Sequence, residues 1–250
     1  MIICKGEKEI AQMRQAGRIV AGALELARKS VRPKLKTIEL DIMIENYILT
    51  KGGKPAFKGY HGYPASICAS INQEVVHGIP GSKRLSEGDI ISVDIGVELN
   101  GYFADAAATF AIGKITDKAK RLMKTTELSL EAGIEQVRIG NKLSDISHAI
   151  QKKAEAAGYS VVRDYVGHGI GREMHEDPQI PNYGPPGQGP ELREGMVLAL
   201  EPMLNLGGSG VKVLSDSWSV VTADNSLSAH FEHSVAVTAV GPDILTKLAN

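Results

Sequence analysis

The stretch SVDIGVELNGYFAD, residues 92–105, contains two apolar strand segments joined by a short turn, with one aspartate in each segment. Asn100-Gly101 is typical of a two-residue type I′ turn, in which both central residues need positive φ. Such a turn pairs Asp94 with position 107 and leaves Asp105 one diagonal step away on the same face. Two like charges this close are unfavourable unless a cation or a proton lies between them. The hairpin therefore indicates a cation site, unless this face is simply solvated.

Length and composition limit the classes of protein to which the chain can belong. Its 250 residues suffice for one large domain, or for two halves that share a sheet. A net charge of −1 gives no basic surface for nucleic acid or for an anionic membrane. Cys4 and Cys68 form no CxxC motif, which fits a reducing cytosol. The sequence shows neither a signal peptide nor an apolar run near the ~18 residues that span a bilayer. We therefore expect a cytoplasmic globular protein.

The hydrophobic periodicity predicts that two helices followed by several strands occur twice along the chain. Helices are predicted at 7–29, from Thr37 to about Thr50, at 117–137, and from Ser144 to Gly158, with Thr37 and Ser144 as N-caps. The strand-like segments are 66–72, 74–80, 89–100 and 101–112, followed by YSVVRDYVGHG, EGMVLALEPML, VKVL, WSVVTAD and SAHFEHSVAVTA. We therefore expect an α+β chain.

A single offset relates landmarks of the two copies. An offset of 107 residues separates the members of three pairs: Thr37 and Ser144, Glu87-Gly88 and Glu194-Gly195, Asp94 and Glu201. Shared offsets of this kind predict a duplicated half with its boundary near residues 113–116. We expect a single domain over 1–250, built from two related halves at approximately 1–114 and 115–250.

The second half carries three more candidates for a buried polar site. Glu201 ends the apolar run VLAL, and an unpaired buried carboxylate is costly, although a salt bridge to a nearby cation would also explain it. Glu232 lies in AHFEHSVAV, which reads equally well as a solvated strand face. His168 lies in GHGIG, where glycines let the backbone approach a site closely. The remaining histidines without a constellation are interpreted as solvated or core-filling residues: His61, His148, His230 and His233.

Four carboxylates and one imidazole lie at strands or strand ends of both halves: Asp94, Asp105, His168, Glu201 and Glu232. Oxygen-rich ligation with one nitrogen suits manganese, iron(II) or cobalt, and differs from a cysteine-rich structural zinc site. Four negative charges exceed what one divalent ion balances, so we expect two ions. A pair of such ions activates water and polarises a carbonyl in metal-assisted hydrolysis.

The order Asp, Asp, His, Glu, Glu, with spacings of 11, 63, 33 and 31 residues, resembles that of the bacterial type I methionine aminopeptidases. The strings VDIGVELNGYFAD, GHGIG, MHEDP, MVLALEPM and HFEH carry the resemblance, which extends over essentially the whole chain. It implies a pita-bread fold of the α+β class, with two pseudo-symmetric halves around a curved antiparallel sheet. It also implies a metal-dependent aminopeptidase that removes the N-terminal methionine of nascent proteins when the second residue is small and uncharged.

The resemblance assigns roles to the five candidate ligands. Asp94 would bind one metal, and His168 and Glu201 the other. Asp105 and Glu232 would bridge the two ions, which would be cobalt, manganese, iron or zinc. Glu201 would also act as the general base on water.

The resemblance also assigns the residues that hold the substrate. His77 and His175 would hold the substrate amide and stabilise the tetrahedral intermediate. Phe57 stands where a smaller residue can occur and Met174 where an aromatic is common, so we expect only the shape of the pocket to differ. The methionine side chain would enter a mostly apolar pocket formed by Phe57, Tyr60, Tyr63, Cys68, Met174 and Trp218.

Three other interpretations share part of this pattern. Prolidases and aminopeptidase P usually carry an extra N-terminal domain, whereas residue 1 here already adjoins the first catalytic-domain helix. Type II methionine aminopeptidases insert a helical segment between the last two glutamates, yet Glu201 and Glu232 are only 31 residues apart. A non-catalytic binding module on this scaffold would have lost ligands. We therefore expect a monomeric enzyme whose partners are nascent polypeptide N-termini, at the ribosome, without direct contact to nucleic acid or membrane.

Overall fold

The computed structural model describes residues 1–247, which form four α-helices, fifteen β-strands and a short 3₁₀ helix at Tyr60–Gly62. The helices are α1 (Glu7–Ser30), α2 (Thr37–Thr50), α3 (Asp117–Glu135) and α4 (Leu143–Ala156). The strands are β1 (Lys54–Pro55), β2 (Ile67–Ile71), β3 (Glu74–Val76), β4 (Ile90–Leu99), β5 (Tyr102–Ala111), β6 (Ser160–Val161), β7 (Gly167–Gly169), β8 (Glu176–Ile180), β9 (Val197–Leu200), β10 (Met203–Asn205), β11 (Val211–Val213), β12 (Val220–Thr222), β13 (Ser228–His230), β14 (His233–Thr238) and β15 (Gly241–Ile244). The α+β class is confirmed.

Strands β4 and β5 form the hairpin that the sequence predicts. Asn100 and Gly101 have φ angles of 54° and 79°, as a type I′ turn requires. Asp94 pairs with Ala107, which is the predicted register. Because side chains alternate along a strand, this register puts Asp94 and Asp105 on one face of the hairpin.

The strands are divided among four antiparallel sheets. Their orders are β1–β4–β2 with β5 also beside β4, β13–β10–β6, β11–β12–β3, and β15–β14–β9–β7–β8. Several hydrogen bonds link β5 to the segment that follows β13, and two of them start from backbone N–H groups. The N–H of Glu232 donates to the carbonyl of Ala107 at 2.9 Å, and the N–H of Asp105 donates to the hydroxyl of Ser234 at 3.1 Å. Glu232 and Asp105 are thereby fixed next to each other across the two largest sheets.

The helices cover one face of each large sheet, and the acids lie on the other. Helix α1 packs on β4 and β5, and α2 packs on β2, through a core that contains Ile91, Val93 and Ile95. Helices α3 and α4 pack in a second core with Leu198 and Leu200 of β9. Residues one position away from these apolar side chains point to the opposite face. Asp94 and Glu201 therefore both face away from the helices.

The N-caps of two helices differ from the prediction. Lys36 is the N-cap of α2, and its N–H donates to the Glu39 carboxylate at 2.9 Å. Thr37 was therefore the wrong choice, because its hydroxyl instead accepts a hydrogen bond from the N–H of Gly81 at 2.8 Å. Helix α4 repeats this arrangement. Lys142 is its N-cap and donates its N–H to the Asp145 carboxylate, while the hydroxyl of Ser144, which was likewise the wrong choice, accepts a hydrogen bond from the N–H of Gln188. In both helices the carboxylate three residues after the N-cap accepts a hydrogen bond from the N-cap N–H, which leaves each hydroxyl free to bind a neighbouring loop.

The two predicted halves begin with matching contacts. Just before α2, the N–H of Lys34 donates to the carbonyl of Leu85. Just before α4, the N–H of Gly140 donates in the same way to the carbonyl of Leu192. The division into halves at 1–114 and 115–250 stays a prediction, and residues 248–250 of it lie outside the described part. Within residues 1–247, no helix has the length and apolar character that crossing a membrane requires.

Candidate active site

A cavity of about 430 Å³ lies on the face that carries Asp94 and Glu201. Its lining comprises every site residue predicted from the sequence, together with His61. The polar lining residues are Asp94, Asp105, His168, Glu201, Glu232, His77 and His175, and the more apolar ones are Phe57, Tyr60, Tyr63, Cys68, Met174 and Trp218. The fold thus gathers the whole predicted set in one place, while the role of each residue stays a prediction.

The five predicted ligands are held by different strands or strand ends. The Nε2 atom of His168 lies 3.4 Å from Oδ2 of Asp105 and 3.7 Å from Oε1 of Glu201. One ligand atom each from Asp105, His168 and Glu232 lie within 4.8 Å of one another, and all three residues are buried. These three side chains are therefore close enough to share a metal ion.

The charge state of the acids also fits a cation site. Burial raises the pKa of Asp94 well above its ordinary value, and the charges of Asp105 and Glu201 raise it further. Burial likewise raises the pKa of Glu201 to about 8, although His168 opposes this shift. Among the described residues, Oδ1 of Asp94 is buried without a hydrogen-bond partner. Such acids either keep protons or bind cations, and an oxygen-rich set with one imidazole fits divalent ions.

The orientation of His168 suits a ligand. Its Nδ1–H donates to the carbonyl of Gly169 at 2.9 Å, which leaves Nε2 directed at the carboxylates. Burial lowers the pKa of His168, but the hydrogen bond and charge of Asp105 and the charge of Glu201 outweigh it and raise the pKa to about 9. The backbone carbonyl therefore fixes which ring nitrogen faces the site.

Two further histidines lie beside this acidic group. The ring centroid of His175 is 4.3 Å from that of His168, and Nδ1 of His175 is 2.7 Å from the Tyr60 hydroxyl. Partial desolvation by the surrounding cavity walls lowers the pKa of His175 to about 4, although the residue is exposed at the cavity mouth, and the charge of His168 adds to the shift. Burial also lowers the pKa of His77, whose ring packs edge-on against Tyr165. Both imidazoles are therefore neutral near pH 7 and can donate one hydrogen bond each.

The apolar end of the cavity is lined by buried and half-buried side chains. Met174 and Cys68 are buried, and the Tyr63 ring packs edge-on against Trp218 with centroids 5.1 Å apart. Burial raises the pKa of the Cys68 thiol, so that it stays protonated. Gly96 makes room for Phe57, because a Cβ atom there would lie 2.7 Å from Cε1 of the ring. The pocket suits an unbranched apolar side chain.

The sequence of residues 11–239 matches the profile of Metallopeptidase family M24. The chain belongs to family M24. Methionine aminopeptidase 1 of Bacillus subtilis (strain 168) is 54% identical to it over 248 residues, which are 99% of this chain and 100% of that protein. The resemblance to methionine aminopeptidases is thereby confirmed.

Solved structures agree with this membership. The crystal structure of methionine aminopeptidase from Thermotoga maritima has a TM-score of 0.98 and 47% identity, and the match covers 99% of this chain and 100% of that one. The prolidase from Pyrococcus furiosus has a TM-score of 0.80 and 23% identity, over 99% of this chain and 66% of that one. The prolidase shares the fold, and the pita-bread fold predicted from the sequence is confirmed.

Two of the four histidines that the sequence predicts to be solvated or core-filling lie in or beside the cavity of this M24 chain. His61 lines the cavity at its exposed side, so a solvated or core-filling interpretation misses it. Its position in GYHGY, between Tyr60 and Tyr63, was the available signal. His230 is buried, and within the described residues its Nε2 has no hydrogen-bond partner, although Oε2 of Glu201 is 4.0 Å away. Burial lowers the pKa of His230 to about 3, which agrees with a neutral, core-filling residue.

Proposed function

We propose that this chain is a metal-dependent aminopeptidase that removes the N-terminal methionine of nascent proteins whose second residue is small and uncharged. One observation carries the proposal: a single cavity contains both an acidic group suited to divalent ions and an apolar pocket suited to a methionine side chain. The full-length identity of 54% to a protein named methionine aminopeptidase supports the same substrate.

The acidic group would hold two divalent ions. Asp94 would bind one ion, His168 and Glu201 the other, and Asp105 and Glu232 would bridge them. Cobalt, manganese, iron and zinc all fit this donor set. When bound, the ions would supply Lewis acidity toward the scissile carbonyl and lower the pKa of water.

The side chains around the ions would move protons and hold the substrate. Glu201 would take a proton from the attacking water and pass it toward the leaving amine. The Nε2–H of His175 would donate to the scissile carbonyl oxygen and follow it as negative charge develops. His77, whose ring centroid lies 6.3 Å from that of Trp218, would hold the substrate amide.

Shape would set the specificity. The thioether of methionine would lie against Tyr63 and Trp218, whose rings make favourable contacts with sulfur. His61 and His175 form the exposed rim of the cavity, so the residue after methionine would lie between them. A bulky second residue would meet these rings. We propose that the protein acts as a cytoplasmic monomer on chains that emerge from the ribosome.

The decisive experiment follows methionine release together with metal content. Protein stripped with a strong chelator should release no free methionine from a Met-Ala-Ser peptide, and manganese or cobalt should restore release with two ions per chain. Met-Leu-Ser should be cleaved far more slowly, and an Ala-Pro dipeptide not at all. Release that the chelator leaves untouched would overturn the metal-dependent mechanism, and cleavage of Ala-Pro alone would indicate a prolidase.

A further inference from the structure

The first residues of the chain contact the loop that carries two lining residues of the cavity. The Nζ atom of Lys5 lies 2.5 Å from Oε2 of Glu176, and the two side chains are only 3% and 8% exposed. Residues Gly171–Glu176, named here the 171–176 loop, include Met174 and His175. A buried ion pair therefore joins the N-terminal segment to the loop that supplies part of the pocket and one proposed catalytic histidine.

The carboxylate of Glu176 also closes the loop on itself. Its Oε1 atom accepts hydrogen bonds from the N–H of Arg172 at 2.8 Å and from that of Glu173 at 3.3 Å. One carboxylate oxygen thus bonds to Lys5 and the other to the start of the loop. Met174 and His175 lie between Glu173 and Glu176, which these hydrogen bonds hold together, so the positions of both residues depend on Glu176.

The Lys5 side of the pair is equally fixed. The Nζ atom also donates to the carbonyl of Ile3 at 3.0 Å, and the Lys5 N–H donates to that of Gly195 at 2.7 Å. The stem of Lys5 packs directly against the backbone of Gly171, because a Cβ atom at position 171 would overlap Cε of the lysine. Lys5 therefore contacts the 171–176 loop at two points, through its stem at Gly171 and through its ammonium group at Glu176.

We propose that Lys5 is a positioning residue: its buried ion pair with Glu176 holds the 171–176 loop so that His175 faces the scissile carbonyl and Met174 closes the pocket. The inference rests on the function proposed above. Removing the ammonium leaves a buried carboxylate without its counter-charge, which is strongly unfavourable. The loop then opens to hydrate Glu176 and takes His175 with it. A displacement of only ~1 Å in such a group costs roughly 10²-fold in rate.

The test compares three variants at a temperature well below their melting transitions. Lys5→Met removes the charge and keeps the stem, whereas Glu176→Asp keeps both charges and shortens the link. Lys8→Met is the matched control, because Lys8 is exposed on α1. With metal-loaded protein, we expect Lys5→Met and Glu176→Asp to lose at least about tenfold in kcat, with a smaller change in KM and unchanged metal content. Lys8→Met should match the unmodified protein.

Hydrogen exchange supplies a readout independent of catalysis. The amides of Arg172 and Glu173 should exchange faster in Lys5→Met and Glu176→Asp, because both donate to Glu176. Unchanged exchange and unchanged kcat would overturn the proposal and make the pair purely structural, even if the melting temperature fell. Should the protein release no methionine, faster exchange would still support the link to the loop, so the two failures are distinguishable. If Lys5→Met does not fold, Glu176→Asp carries the test.

Discussion

The hydroxyl of Tyr60 lies 2.7 Å from Nδ1 of His175, and this hydrogen bond sets the tautomer of the imidazole. A phenol is a better donor than an imidazole N–H, and a bare imidazole nitrogen is a better acceptor than a phenol oxygen. The Tyr60 O–H therefore donates to Nδ1, and the ring proton lies on Nε2. An Nε2–H is what a donor to the substrate carbonyl requires.

Tyr60→Phe should lower kcat and leave metal content unchanged. The loss should be roughly 2- to 12-fold, because a net hydrogen bond contributes about 0.5–1.5 kcal/mol. Release of methionine from Met-Ala-Ser measures it, with Tyr183→Phe as a control outside the cavity. A variant with full kcat would mean that Tyr60 serves only as a wall of the pocket.

His175→Ala and His77→Ala should separate catalysis from metal binding. Each variant should keep two ions and lose roughly 10²–10³ in kcat, the typical cost of one oxyanion donor. His77→Ala should also raise KM if His77 holds the ground-state amide. Metal analysis beside steady-state kinetics tests both. Loss of metal in His175→Ala would put this histidine among the ligands.

Asp105→Ala and Glu232→Ala should bind almost no metal, because each of these residues is assigned to both ions. Asp94→Ala should keep one ion per chain, because Asp94 is proposed to bind only one of the two ions. Metal per chain after dialysis is the measurement. If Asp105→Ala retained two ions and ordinary turnover, the bridging assignment would be wrong and the aspartates of the hairpin would need another explanation.

Metal loading should release protons near neutral pH. Burial raises the pKa of Glu201 to about 8, so this acid carries a proton at pH 6.5 in the metal-free protein, and burial shifts the pKa of Asp94 in the same direction. A divalent ion displaces the proton of Glu201, which makes the affinity for the ion rise with pH until that acid is ionised. Calorimetry in buffers of different ionisation enthalpy should show more protons released at pH 6.5 than at pH 9. Equal release at both values would contradict the prediction.

Gly96→Ala should change the pocket without touching the acids. The added Cβ would lie 2.7 Å from Cε1 of Phe57 and 3.1 Å from the Cβ of Ala56, so the ring must move. We expect KM for methionyl peptides to rise while metal content stays at two ions. The double variant Gly96→Ala/Phe57→Ala should recover part of the loss, because it restores the space. A KM that Gly96→Ala leaves unchanged would show that Phe57 does not shape the pocket.

Local signals predicted the hairpin and its acids, whereas long-range contacts had no signal in the sequence. The Asn100-Gly101 turn and the alternation of β4 fix the register within a few residues, so Asp94 could be paired with position 107 in advance. Lys5 and Glu176 are 171 residues apart, and nothing near either residue indicates the other. Such pairs follow only from the complete fold.

Several local predictions failed because a competing contact was stronger. Thr37 and Ser144 are favourable N-caps by residue type, but Glu39 and Asp145 cap the helices from inside. The strand β8 was not predicted, because its sequence EDPQI has neither apolar alternation nor β-branched residues until its end. It is held at the edge of the sheet by pairing with β7.

The bonds between Ser234 and Asp105 and between Glu232 and Ala107 join parts of the chain that lie more than 100 positions apart. If the backbone were cut near residue 114, one fragment would keep Asp94 and Asp105, and the other would keep the remaining three proposed ligands. Neither fragment alone could balance its buried charge or complete its ligand set. Divalent ions would then act as a cross-linking agent, and the peptidase could be reconstituted by mixing two inert pieces in their presence.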